Sequence, residues 1–126
     1  MSRNVIALDS APPESAYRPT NLVDPGDLIS GTPNDRGVTQ FTSDDGTLTA
    51  GTWACDTYHE TVPRYPSDEL CVVLEGSVTV TEHGGEAITF GPGDAFVIRA
   101  GTTCDWDAHG PFRKLFMEYD PSSRPR

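Results

Sequence analysis

From Gly37 onward the apolar residues of this chain come in short runs, each closed by glycine, proline or aspartate, and no window shows a convincing helical spacing. Val38–Phe41, Thr47–Cys55, Leu70–Glu75, Val78–Glu82, Ala87–Phe90, Ala95–Ile98, Thr103–Asp107 and Arg113–Tyr119 all have strand length and strand patterning. Between them stand Asp44-Asp45-Gly46, Glu75-Gly76-Ser77, His83-Gly84-Gly85, Gly91-Pro92-Gly93 and His109-Gly110-Pro111. These suit turns, because glycine and, less readily, Asp or Asn adopt positive φ. Many short strands at close spacing with little helix bury their apolar faces by curling one sheet around a core. The pattern therefore predicts an all-β protein, an antiparallel jelly-roll β-barrel. Twelve glycines and eleven prolines supply the turns that such a barrel needs.

A chain of 126 residues holds one domain with a real core. Residues 1–36 differ from the rest: Pro12, Pro13 and Pro19 stand among polar residues, and only Val5–Leu8 has a strand-like run. This segment is read as a partly extended N-terminal arm, and residues 37–126 as the barrel domain. Such an arm either packs across the barrel or a partner subunit, or remains a loose tail. The net charge of −10 repels phosphate backbones and anionic lipid, which argues against nucleic-acid and membrane roles. No apolar stretch approaches the roughly 20 residues needed to span a bilayer. The opening Met1–Asp9 has too short an apolar region for a signal peptide, so a cytoplasmic location is expected. Cys55, Cys71 and Cys104 are an odd set without paired spacing, consistent with free thiols in a reducing compartment.

Two stretches carry a more specific signal. One runs Tyr65-Pro66-Ser67-Asp68-Glu69-Leu70-Cys71-Val72-Val73-Leu74-Glu75-Gly76, the other Gly91-Pro92-Gly93-Asp94 through Gly101-Thr102-Thr103-Cys104. Glu69 with Gly76, and Gly93 with Asp94 and Gly101, keep the spacing of the two motifs of the cupin superfamily, which the pair resembles. The order Gly51-Thr52-Trp53, Tyr65-Pro66, Asp68-Glu69, Gly91-Pro92-Gly93-Asp94, Trp106 and Arg113-Lys114 is similar to small single-barrel cupins of a domain-of-unknown-function family. That family is related to ureidoglycine aminohydrolase and to the ethanolamine-utilisation cupins. The usual metal histidines of the motifs fall here at Val62 or Pro63, at Arg64 or Tyr65, and at Cys104. The resemblance thus implies a cupin barrel without the usual metal site, and neither a metal nor another cofactor is expected.

If Glu69 faces the interior, as its match to the cupin glutamate implies, Cys71 and Val73 face inward with it, while Leu70, Val72 and Leu74 face outward. An outward row that apolar packs on a second sheet or on another subunit, and a homodimer is expected. Glu69 and Lys114 are the expected catalytic residues. A carboxylate in a barrel mouth is poised for proton transfer by desolvation, and Lys114 matches a lysine that recurs in the family. The alternative for Glu69 is a structural pairing with Arg64, Lys114 or a buried hydroxyl. Trp53, Tyr58, Tyr65 and Trp106 are expected to wall a small-molecule pocket, with Cys71 and Cys104 lining it. Arg64 and Lys114 are placed to orient a substrate anion.

The resulting expectation is a small-molecule-binding cupin, a metal-independent acid/base enzyme of isomerase, lyase, cyclase or hydrolase type. Its substrate would be a small polar carboxylate or amide. Two alternatives stand beside it: a ligand-binding or accessory cupin without catalysis, and a metalloenzyme with a rearranged site of Glu69, Cys104 and His59. The last needs three or four donors converging on one point.

Overall fold

The computed structural model describes residues 4–123, so Met1 to Arg3 of the opening segment and residues 124–126 lie outside the described residues. Nine strands form one curled antiparallel sheet: β1 (Arg18–Pro19), β2 (Leu28–Gly31), β3 (Arg36–Thr42), β4 (Leu48–Cys55), β5 (Tyr58–Val62), β6 (Asp68–Glu82), β7 (Ala87–Phe90), β8 (Ala95–Ile98) and β9 (Cys104–Tyr119). The order β1-β3-β4-β9-β5-β2 makes one wall, and β6 carries β7, β8 and β9 as neighbours. This is the all-β barrel that the spacing of apolar runs predicts. Among the described residues helix is confined to three single turns of three residues each. Among the described residues no helix is long and apolar enough to cross a membrane.

Two boundaries differ from the sequence reading. Leu70–Glu75 and Val78–Glu82 belong to the single strand β6, and Thr103–Asp107 and Arg113–Tyr119 to the single strand β9. Glu75-Gly76-Ser77 and His109-Gly110-Pro111, read as turns, are instead irregular points inside these long strands. The register of β6 against β9 shifts between Val73 and Glu75 and again between Glu75 and Ser77. Bulges bend a strand and add twist, which lets β6 pair with β8 through its first half and with β7 through its second. Tyr58–Val62, absent from the strand-patterned runs, is β5, paired with β9 from Tyr58↔Ala108 to Val62↔Cys104.

The segment before β3 also departs from expectation. Val5–Leu8 is not a strand; the pairing comes from Arg18–Pro19 against β3 and from Leu28–Gly31 against β5. Upstream, Asp9 N donates to Gln40 Oε1 at 2.6 Å, Glu14 meets Arg36 at 3.4 Å, and Arg36 lies over the Tyr17 ring. Along β6, Glu69, Cys71 and Val73 are buried while Leu70 is exposed, as the alternation required. The core gathers inside the curl, where Trp53, Cys55, Tyr58, Val73, Val78, Ile98, Trp106, Ala108 and Phe112 pack together.

Candidate active site

Strand alternation and cross-strand register bring the interior side chains into one place. Glu69 of β6 stands opposite Glu118 of β9, Val73 opposite Lys114, and Lys114 opposite Trp53 of β4. On β5, Tyr58, Glu60 and Val62 share the inward face, with Glu60 opposite Trp106. Apart from Val73, which lies in the core, these residues wall a cavity of about 690 Å³, completed by Tyr65 and by Thr20, Leu22 and Val23 of the N-terminal segment. Thr20 is a structural link: its Oγ1 donates to Asp35 at 2.7 Å and accepts the indole Nε1–H of Trp53 at 3.2 Å. Trp53 and Trp106 meet edge to face at 6.1 Å, and Phe112 closes the cluster 5.8 Å from Trp106.

At the base of the cavity lies a buried polar unit. Lys114 Nζ donates to Glu69 Oε2 at 3.1 Å, and the Tyr65 hydroxyl donates to the other carboxylate oxygen, Glu69 Oε1. Lys114 and Glu69 are only 5% and 6% exposed, which makes this pair a desolvated ion pair with both carboxylate oxygens engaged. The ammonium also lies 3.6 Å from Cys71 Sγ and 4.9 and 4.7 Å from the ring centroids of Trp53 and Trp106. Burial disfavours the charged Lys114, yet Cys71 and Glu69 oppose it and hold its pKa above the ordinary lysine value. Burial pushes the Cys71 thiol up to about 12, so Cys71 is neutral near pH 7 and Glu69 supplies the counter-charge. Burial, then the Glu69 charge, raises Tyr65 well above the usual phenol, and it stays protonated.

Two further carboxylates face the cavity, and sequence reasoning did not single them out. Glu60 is pushed up to about 7, chiefly by burial, against a lowering contribution from its Tyr58 hydrogen bond of 3.3 Å. Glu118 is raised as well, by burial first and then by the Glu69 charge, while Ser67 donates to it at 3.2 Å. Alternation from Lys114 through Phe116 to Glu118 was the available signal for Glu118. Glu60 was hidden because His59-Glu60-Thr61 offered no apolar pattern from which to infer β5.

Of the residues expected at the site, Trp53, Tyr58, Tyr65, Glu69, Trp106 and Lys114 all line this cavity. Cys71 is fully buried beside the Lys114 ammonium. Cys104 faces inward but borders a second cavity, of about 780 Å³, with Phe90, Phe96 and Arg99, because its cross-strand neighbour Val62 takes the place beside the first. Arg64 is exposed and lines neither cavity, so it is not placed to hold a substrate anion there. Lys114 is already engaged by Glu69 and covered by indole rings, a geometry that supports charge neutralisation and not anion capture. His59 points to the opposite face of β5 from Glu60 and meets Asp105 at 3.3 Å.

Comparison with known proteins bears on this arrangement. The family model of the EutQ-like cupin domain matches residues 42–116, more than half of the chain. This chain belongs to the EutQ-like cupin family. Among solved structures it is similar to a protein of unknown function of the DUF861 family from Pseudomonas syringae pv. tomato, at 28% identity and a TM-score of 0.79. The match covers 88% of this chain but only 46% of that protein, so the chain spans less than half of its relative. EutQ from Salmonella typhimurium matches at 24% identity and TM-score 0.58, over 68% of each chain. The Clostridium difficile EutQ protein matches at 16% and 0.60, over 78% of this chain and 79% of that one. The last two show the shared fold. No curated protein matches the chain.

The residues of this EutQ-like cupin do not fit a metal at the motif positions. Neither Val62 nor Pro63 has a donor side chain, Arg64 is exposed, the Tyr65 hydroxyl is engaged by Glu69, and Cys104 borders the other cavity. The rearranged set of Glu69, Cys104 and His59 does not converge either: among the described residues no group of three or more His, Cys, Asp or Glu is arranged to hold a metal ion.

Proposed function

We propose that this EutQ-like cupin is a small-molecule enzyme that performs acid/base chemistry on a small polar metabolite held in the 690 Å³ cavity. The observation that carries this reading is the buried Tyr65–Glu69–Lys114 unit opening onto an aromatic-walled cavity. A proton leaving the substrate passes to the Tyr65 oxygen as the Tyr65 proton moves to Glu69 Oε1; the reverse movement returns it. Lys114 holds the Glu69 carboxylate in place between turnovers through its 3.1 Å hydrogen bond. Isomerisation, elimination, cyclisation and hydrolytic deamination all use such a step.

The test is incubation of the protein with a pooled extract of polar metabolites, followed by mass spectrometry. Wild type is expected to deplete a small metabolite, and Glu69→Gln to slow that depletion by about 10²- to 10⁴-fold while still retaining the compound after rapid gel filtration. Retention without depletion by wild type would replace the enzyme reading with that of a binding or accessory protein.

The working unit in this proposal is a cytoplasmic homodimer. Cys55, Cys71 and Cys104 are free and buried, as suits a reducing compartment. On the outer face Leu70 stands directly between Val97 of β8 and Met117 of β9, and these three are 42%, 63% and 39% exposed. A second copy presenting the same row across a twofold axis covers it. Light scattering at micromolar concentration is expected to give a dimer for wild type and a folded monomer for Leu70→Glu combined with Val97→Lys. A monomeric wild type would end this part of the proposal.

A further inference from the structure

The charge balance of the main cavity points to the class of ligand. Lys114 and Glu69 cancel each other at 3.1 Å. Arg18, the other cation on the wall, is exposed and turns its Nη1 to the carbonyls of Ser15 and Tyr17 at 2.9 and 3.0 Å. Glu60 and Glu118 remain, half-buried, each with a single neutral hydroxyl partner, Tyr58 for one and Ser67 for the other. Neither has an ion-pair partner among the described residues. The rest of the wall is largely aromatic and aliphatic, with Trp53, Tyr58, Tyr65, Trp106 and Phe116 prominent. Trp106, 2% exposed, has an indole Nε1 with no hydrogen-bond partner among the described residues.

We propose that the cavity takes a small organic ammonium, with its charged nitrogen paired to a cavity carboxylate, Glu60 or Glu118, and its apolar body against the aromatic wall. This inference rests on the reading of the cavity as a small-molecule site and names the ligand class of that site. Unpaired carboxylates in a desolvated cavity are costly when ionised. A cationic ligand removes that cost, whereas an anionic one adds to it. Aromatic faces favour the same sign of charge, because their quadrupole attracts cations. The Lys114 ammonium beside the Trp53 and Trp106 rings is an instance within the protein itself. The carboxylate substrate expected from the sequence would instead meet two uncompensated acids and a lysine already engaged.

The pH dependence follows from the same groups. Facing Glu60 are Tyr58 on its own strand, Asp27 and Asp35 from the preceding segments, and Lys114 of β9. Facing Glu118 are Ser67, Glu69, Lys114 and Asp120. Both acids are raised, chiefly by burial, with Glu60 at about 7. An ammonium binds their ionised forms, so its affinity rises with pH through that range and levels off above it.

The protein has two tryptophans, Trp53 and Trp106, and both line the cavity, so intrinsic fluorescence reports occupancy. The probes are benzylamine, benzyl alcohol and benzoate, similar in size and different in charge. Benzylamine is expected to perturb the emission with an affinity about tenfold higher at pH 8 than at pH 6. It should bind at least tenfold more weakly to the Glu60→Gln/Glu118→Gln variant, whose near-ultraviolet circular dichroism checks that the fold is kept. Binding of benzoate or benzyl alcohol as tight as that of benzylamine overturns the ammonium assignment and leaves the small-molecule reading standing. Unchanged benzylamine affinity in the folded double variant overturns the assignment too. No response to any of the three overturns both.

Discussion

Replacing Lys114 with methionine is expected to destabilise the protein by about 3–5 kcal/mol, because it leaves the Glu69 carboxylate buried without its counter-charge. For a domain of this size that is a fall in Tm of roughly 10–20 °C. Methionine keeps most of the side-chain volume and removes the ammonium that sits between Glu69 and the Trp53 and Trp106 rings, so the loss reports the charge and not a cavity. A second measurement separates these causes. Adding Glu69→Gln to Lys114→Met should recover a large part of the stability, as removing the second charge of a buried pair does. A loss below about 1 kcal/mol, the range of an exposed pair, would mean that Lys114 and Glu69 are hydrated and that the proton-transfer unit built on them is wrong.

How far the sequence foretold this unit depends on what kind of signal each residue offered. Glu69, Cys71 and Val73 were legible as an inward row because the resemblance of Glu69 to the cupin glutamate set the face and strand alternation, with its period of two, carried it along; the buried side chains of β6 follow it. Of the structural partners weighed for Glu69, namely Arg64, Lys114 or a buried hydroxyl, Lys114 and the Tyr65 hydroxyl hydrogen-bond to it and Arg64 does not. Those bonds depend on register between β6 and β9, which no local pattern gives. Glu60 stayed hidden for a related reason: β5 turns the half-buried His59 and Thr61 to its outer side and carries an equally half-buried glutamate on its inner one, so this stretch lacks apolar contrast. Thr20, Leu22 and Val23 reach the cavity from a proline-containing segment whose place is fixed by distant partners, notably Asp35 and Trp53. Arg64 and Cys104 were assigned by their place in motifs. Motif spacing sets a position along the chain but not which cavity a side chain enters.

Gly76 is where sequence and structure disagree most usefully, and Gly76→Ala is expected to have the second large effect. A glycine between Glu75 and Ser77 reads as a turn, yet it lies inside β6 at the register shifts that bend the strand. Its φ is +73°, and a Cβ there would lie 2.7 Å from the His109 carbonyl oxygen and closer still to that of Pro111. Those atoms are backbone of β9, so they cannot rotate aside. The positive φ alone costs about 1–2 kcal/mol for a non-glycine residue, and forcing apart two paired strands adds about 1–3 kcal/mol. Gly84 and Gly93 give the internal control. Their φ values are +80° and +90°, but nothing lies within 4 Å of a Cβ built on either, so alanine at these sites carries the conformational term alone. Urea denaturation of the three variants should therefore show Gly76→Ala lowering the midpoint at least twice as far as Gly84→Ala or Gly93→Ala. Equal shifts would mean that the contact of β6 with β9 at Pro111 is loose, and that the bend which joins the two halves of the barrel is held elsewhere.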